Sequence, residues 1–142
     1  MSNFDQFFGT LRIPGKFNLA TNPNFATVVN TYETLLSDTG SGAVSAIAFN
    51  TSGPSSEIQL TKIIIEVTVD GGTPYEIDMG NHIVSGGSAS TRLWTGSLDP
   101  AVGDDNAMIP LTQQYKTSIL LRAKTDITTT QIGGSVSYSS DL

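Results

Sequence analysis

Ile58-Gln-Leu-Thr-Lys62-Ile-Ile-Ile-Glu66-Val-Thr-Val-Asp70-Gly-Gly-Thr-Pro-Tyr75-Glu-Ile-Asp78-Met79 is the stretch whose reading decides the fold class. Ile63, Ile65, Val67 and Val69 recur at every second position, and Lys62, Glu66, Thr68 and Asp70 fill most of the alternate ones. Successive side chains of a strand point to opposite faces, so this alternation of β-branched and polar residues marks a half-buried strand. Asp70-Gly71-Gly72 signals a turn, because glycine takes positive φ without steric cost. Tyr75, Ile77 and Met79 resume the alternation, with Glu76 and Asp78 facing away.

The apolar pattern also selects a loop. A two-residue loop, Gly71-Gly72, sets Val67 against Glu76 and Ile65 against Asp78 and mixes the faces. A three-residue loop, Gly71 to Thr73, pairs Val69 with Tyr75, Val67 with Ile77 and Ile65 with Met79. Because a one-residue slip turns every side chain over, the three-residue loop with a bulge is the expected one. It places Glu66 opposite Asp78 on the outer face. Like charges there repel, so a cation, a lysine or arginine neighbour, or solvent is expected between them.

Upstream, residues 1–26 follow neither period. Phe4, Phe7, Phe8, Leu11, Ile13, Phe17, Leu19 and Phe25 are spread among Gly9, Pro14, Gly15, Asn22 and Pro23. An aromatic-rich extended segment must be covered, so an N-terminal arm is expected, packed on its own domain or crossing to a neighbouring subunit. Val28 to Leu36 reads as a strand, Ser37 to Gly42 as a turn cluster and Val44 to Phe49 as a second strand of small residues. Ile58 and Leu60 have the opposite parity to the Ile63 series, which points to a bulge near Thr61.

Downstream, Arg92-Leu93-Trp94 is short and extended, and residues 97–107 form the longest surface loop. Pro110 suits an edge strand. Residues 117–125 and 131–138 read as a last hairpin. Ile119, Leu121, Ala123, Ile132, Val136 and Tyr138 face in, and Lys116, Arg122 and Lys124 face out. Seven or eight short strands without an amphipathic helix predict a single all-β domain over 1–142, an antiparallel β-sandwich of jelly-roll type.

Composition narrows the function classes. The chain holds no cysteine, so disulfides and thiolate metal sites are excluded. Its net charge of −6, with seven scattered basic residues, lacks the basic stripe that nucleic-acid binding requires. No apolar run is long enough for a membrane helix, and the start lacks the basic and apolar regions of a signal peptide. A soluble product made in a cytoplasm is expected.

Chemistry is sparse. His82 is the single histidine, and no serine sits in a nucleophile-elbow setting, so a triad is not expected. Glu66 with Asp78 or Glu76 has the composition of a glycosidase pair, but exposed strand acids more commonly form a solvated face. Asp99, Asp104, Asp105 and Asn106 carry oxygens suited to Ca²⁺, yet they lack the helix-flanked twelve-residue spacing and are common turn residues. Trp94 reads as a core residue closing the sandwich, with a sugar-stacking platform as the alternative. No catalytic residue, cofactor or metal ligand is assigned.

Between Ile63 and Tyr138 three features stand together: the strand–Asp-Gly-Gly hairpin at 63–79, the run Met108-Ile-Pro-Leu-Thr-Gln-Gln-Tyr115-Lys-Thr-Ser-Ile-Leu-Leu-Arg122, and the closing strand Gly133-Gly-Ser-Val-Ser-Tyr138. In these the chain resembles small β-sandwich virion structural proteins of tailed bacteriophages. The resemblance implies a non-enzymatic, homo-oligomeric virion component made in the host cytoplasm, foremost a head decoration protein that stabilises the capsid by binding the major capsid protein. Tail, baseplate or adsorption-appendage subunits, including host-glycan-binding modules, are the alternative. The expected interface joins an apolar contact from Phe4, Phe7, Phe8, Leu11, Ile13 and Phe17 to a charged one. In the charged part Glu66, Glu76 and Asp78 meet Lys116, Arg122 and Lys124 across a subunit boundary.

Overall fold

The computed structural model describes residues 16–25, 28–52, 60–81, 97–99, 104–126 and 132–141. Their strands are β1 (Lys16–Asn22), β2 (Glu33–Thr39), β3 (Ser41–Ser52), β4 (Ile63–Val69), β5 (Tyr75–Asp78), β6 (Ser97–Asp99), β7 (Asp104–Tyr115), β8 (Ser118–Thr125) and β9 (Ile132–Asp141), with a 3₁₀ turn at Met79–Asn81. Among the described residues no helix is long and apolar enough to cross a membrane.

The strands form two antiparallel sheets, β1-β9-β3-β7-β6 and β2-β8-β4-β5. Their pairing is nested: β1 with β9, β2 with β8, β3 with β7, and β4 with β5. That is one long double-stranded ribbon, and it is rolled so that β9 also meets β3 and β8 also meets β4. This is the jelly roll, with β6 added beside β7.

Alternation supplies the core. In β4, Ile63, Ile65 and Val67 are fully buried, and in β8 Ile119, Leu121 and Ala123 take the same side. From the other sheet Val44, Ile47, Phe49, Ile109 and Val136 face them. Each such large apolar side chain contributes about 1.5–3 kcal/mol by leaving water. Phe25 packs edge-on against Phe49 with ring centroids 5.6 Å apart, and its N–H donates to the Ile132 carbonyl.

The central hairpin differs from expectation in register and agrees in facing. Val67 pairs with Tyr75 and Ile65 with Ile77, so Glu66 stands opposite Glu76 and Asp78 opposite Ile64. The Gly72 N–H donates to the Val69 carbonyl, and Asp70 and Gly71 have φ of 53° and 68°. Two positive φ values at the central residues are what a type I′ turn requires. Continued directly, that turn would oppose Val67 to Pro74, which has no N–H for a ladder. One extra residue before Tyr75 restores the parity. Thr73 therefore belongs to the connection, and Val67 and Ile77 share the core side.

Other boundaries move for similar reasons. Val28 is exposed in a turn ending at Asn30, whose φ is 55° and whose N–H donates to the Thr125 carbonyl; β2 starts only at Glu33. Ser37 to Thr39 continue β2, and Gly40 alone makes the corner between the sheets, at φ 102°. Its N–H donates to the Thr117 carbonyl, tying it to the neighbouring β7–β8 corner. Leu60 reaches the core from a Thr61–Lys62 turn in place of the expected bulge. Strands β8 and β9 are not a hairpin, since the chain crosses between sheets after Asp126. Within 97–107, β6 pairs with the start of β7, so that stretch is not one loop. Pro110 does lie beyond the reach of β6, on the open side of β7. Of the expected arm, Lys16–Asn22 is an edge strand paired with β9, and Phe25 is core. Phe4, Phe7, Phe8, Leu11, Ile13, His82 and Trp94 lie outside the described residues.

Candidate functional site

The two outer faces of the sandwich have opposite chemistry. On the four-stranded sheet, Arg122 of β8 stands beside Glu66 of β4, which stands beside Glu76 of β5. The Arg122 guanidinium bonds Glu66 Oε1 through Nε at 3.0 Å and also through Nη2. The lysine or arginine neighbour expected beside Glu66 is Arg122 of the same subunit, on the side of β4 away from Glu76. Its pairing partner is set by register, because β8 and β5 flank β4.

Tyr32 lies over this row. Its hydroxyl donates to Glu76 Oε1 at 2.7 Å. Its ring is 4.5 Å from Lys124 Nζ and 5.1 Å from the Arg122 guanidinium carbon, within cation–π range. Burial, the bond to Glu76 and the nearby carboxylates push the Tyr32 phenol well above its ordinary value. Glu66 and Glu76 are thus each held by a donor of the same sheet face, Arg122 and Tyr32.

One step along the sheet, Lys124, Ile64 and Asp78 form the next row. Here the surface opens into a cleft of about 620 Å³ lined also by Asn30, Thr61, Lys62, Gly80, Thr125 and Asp126. Asp78 is oriented by its Oδ1, which accepts the Gly80 N–H at 2.9 Å. At the opposite end, Asp70 Oδ1 accepts the backbone N–H groups of Lys116, Thr117 and Ser118. Those bonds hold its carboxyl down at about 2.

The outer face of the five-stranded sheet is built differently. Three rows cross four strands: Phe17–Ser139–Ala43–Gln114, Leu19–Ser137–Ala46–Pro110 and Thr21–Ser135–Ala48–Met108. None of these residues is charged, and Phe17, Leu19 and Met108 are 71%, 62% and 54% exposed.

The expected interface residues are therefore divided. Glu66, Asp78, Arg122 and Lys124 share one outer face, and Phe17 lies on the other. The calcium reading places Asp99 on β6 and Asp104, Asp105 and Asn106 on β7, with the carboxylate side chains outside the described ones. Among the described residues no three carboxylate or imidazole groups come together as a metal site. Tyr32 carries no local signal in the sequence, because it meets Glu76 only through the fold. The uncharged face has a local signal in the alternation Ser135, Val136, Ser137, Tyr138, Ser139.

No protein-family model matches the chain, and no curated protein matches it either.

Proposed function

We propose that this protein is a non-enzymatic virion structural protein, a head decoration subunit that stabilises the capsid by docking on the major capsid protein. The observation that carries the reading is the set of three uncharged rows on the outer face of β1, β9, β3 and β7, with Ser and Ala at their centre and Phe17, Leu19 and Met108 among their outer members. In a chain with net charge −6, three adjacent rows without a charge suit contact with another protein, because uncompensated charge is costly to desolvate. Small side chains let a partner approach the sheet closely, and the marginal large ones fill pockets. Jelly rolls recur among capsid and lectin domains, but the fold alone carries no function.

The test is co-sedimentation of the purified protein with purified capsids of the virus that encodes it. The wild type is expected to pellet with particles and Ala46→Arg to stay in the supernatant with an unchanged melting temperature. A wild type that remains in the supernatant, or an Ala46→Arg variant that pellets equally, overturns the reading.

A further inference from the structure

We propose that the cleft at the Asp126 end of the four-stranded sheet binds a neutral saccharide, whatever covers the opposite sheet. Its floor is Ile64, flanked by Lys124 on β8 and Asp78 on β5. Neighbouring strands lie about 4.8 Å apart, so the backbone positions of these two oppositely charged residues stand about 10 Å apart with Ile64 between them. Lys62 precedes Ile63 and Asp126 follows its partner Thr125, so both line the end of the cleft beyond the β4–β8 ladder. Among the described residues these four groups make no salt bridge with one another. Lys124 is instead turned to the Tyr32 ring, and Asp78 to the Gly80 N–H.

The lining holds two lysines and two aspartates, so its charges cancel. An anion meets two carboxylates there, and a bare cation meets two ammonium groups, so either is opposed by half the site. A neutral ring bearing hydroxyls satisfies all of it. Hydroxyls donate to the free oxygen of Asp78 and to Asp126, and accept from Lys62, Lys124 and the Asn30 amide. The apolar C–H face of a sugar ring covers Ile64. The volume of about 620 Å³ lies within the range of small-ligand sites. Asp78 is held in place by the Gly80 bond before any ligand arrives, which lowers the ordering cost of binding.

The experiment uses the full chain on an array of immobilised neutral oligosaccharides ending in glucose, galactose, N-acetylglucosamine or rhamnose. Sialylated glycans, sulfated glycans and phosphocholine are the charged and zwitterionic comparisons. Retention on at least one neutral glycan is expected. Asp78→Asn keeps an oxygen for Gly80 but turns the ligand-facing acceptor into a donor. It is expected to weaken that binding about tenfold or more, the size of one lost hydrogen bond to a charged acceptor. Should this variant melt early, Lys62→Met at the exposed rim carries the same expected loss. Ala46→Arg on the far sheet is expected to bind glycan as the wild type does, which separates this site from the proposed docking face. Absence of neutral-glycan binding, stronger retention on the charged or phosphocholine probes, or unchanged affinity in a folded Asp78→Asn variant overturns the proposal.

Discussion

The Asp70 carboxylate accepts the backbone N–H of Thr117 at 2.7 Å, so the turn of the β4–β5 hairpin clamps the corner where β7 passes into β8. The same oxygen also accepts from Lys116 and Ser118, and the Asp70 N–H donates to the Ser118 carbonyl. The end of the four-stranded sheet is thereby fastened to that corner by a single side chain.

This clamp makes stability depend on acid in a defined window. Hydrogen bonds from the backbone lower the Asp70 carboxyl from 3.8 to about 2. A depressed carboxyl stabilises the fold fully above its unfolded value and ceases to do so as pH falls through the folded one. The wild type is therefore expected to lose stability between pH 3.8 and about 2 in a component that Asp70→Asn lacks. Urea titrations across that window check it; parallel pH profiles of the two proteins would count against the clamp.

Arg122 and Glu66 pair within one subunit, with the Glu66 side chain only 13% exposed. Arg122→Glu would put a third carboxylate beside Glu66 and Glu76 and leave Glu66 without its donor. The expected cost is roughly 1–3 kcal/mol of folding stability, the penalty for a charged group stripped of its hydrogen-bond partner. A denaturant melt measures it, with Glu66→Gln in the same background expected to recover part of the loss. An unaltered melting curve together with lost oligomerisation would return the pair to a subunit boundary.

Gly42 is required by the close packing of Tyr115. A Cβ at Gly42 would lie 2.2 Å from the Ser139 carbonyl oxygen and 2.4 Å from the Tyr115 hydroxyl. That hydroxyl donates to Asp38 Oδ2 at 2.6 Å. Gly42→Ala is expected to destabilise by about 1–3 kcal/mol, as overpacked sites do. Tyr115→Phe, which removes only the bond, is expected to cost about 1–2 kcal/mol. Equilibrium unfolding of both variants tests the order.

Phe17 and Leu19 point outward from an edge strand, so replacing both by serine leaves the core intact. Stability is expected to stay within about 0.5 kcal/mol of wild type, while particle binding weakens. Calorimetry and co-sedimentation read the two effects separately. A large drop in melting temperature would place these side chains against the protein's own core.

Local alternation was enough to read the strand at Ile63–Val69, the inward set Ile119, Leu121 and Ala123, and the all-β class. Parity depends only on neighbours in the chain and on which residues avoid water. It says nothing about a shift of two residues, which keeps every face, and so the pairing of Val67 with Tyr75 was decided by the Asp70-Gly71 turn and by Pro74. Parity is equally silent about partners: β8 and β9 both alternate correctly, yet they enter different sheets. The Arg122–Glu66 bond, Tyr32 lying across to Glu76, and the cleft over Ile64 each join residues from strands far apart in sequence. So does the uncharged face, drawn from four strands in which no single residue is unusual. Sequence alone determined which side chains could be buried and that their charges would stay outside. Only the rolled ribbon decided which of those outward residues became neighbours, because strand order is settled by packing two sheets around one core.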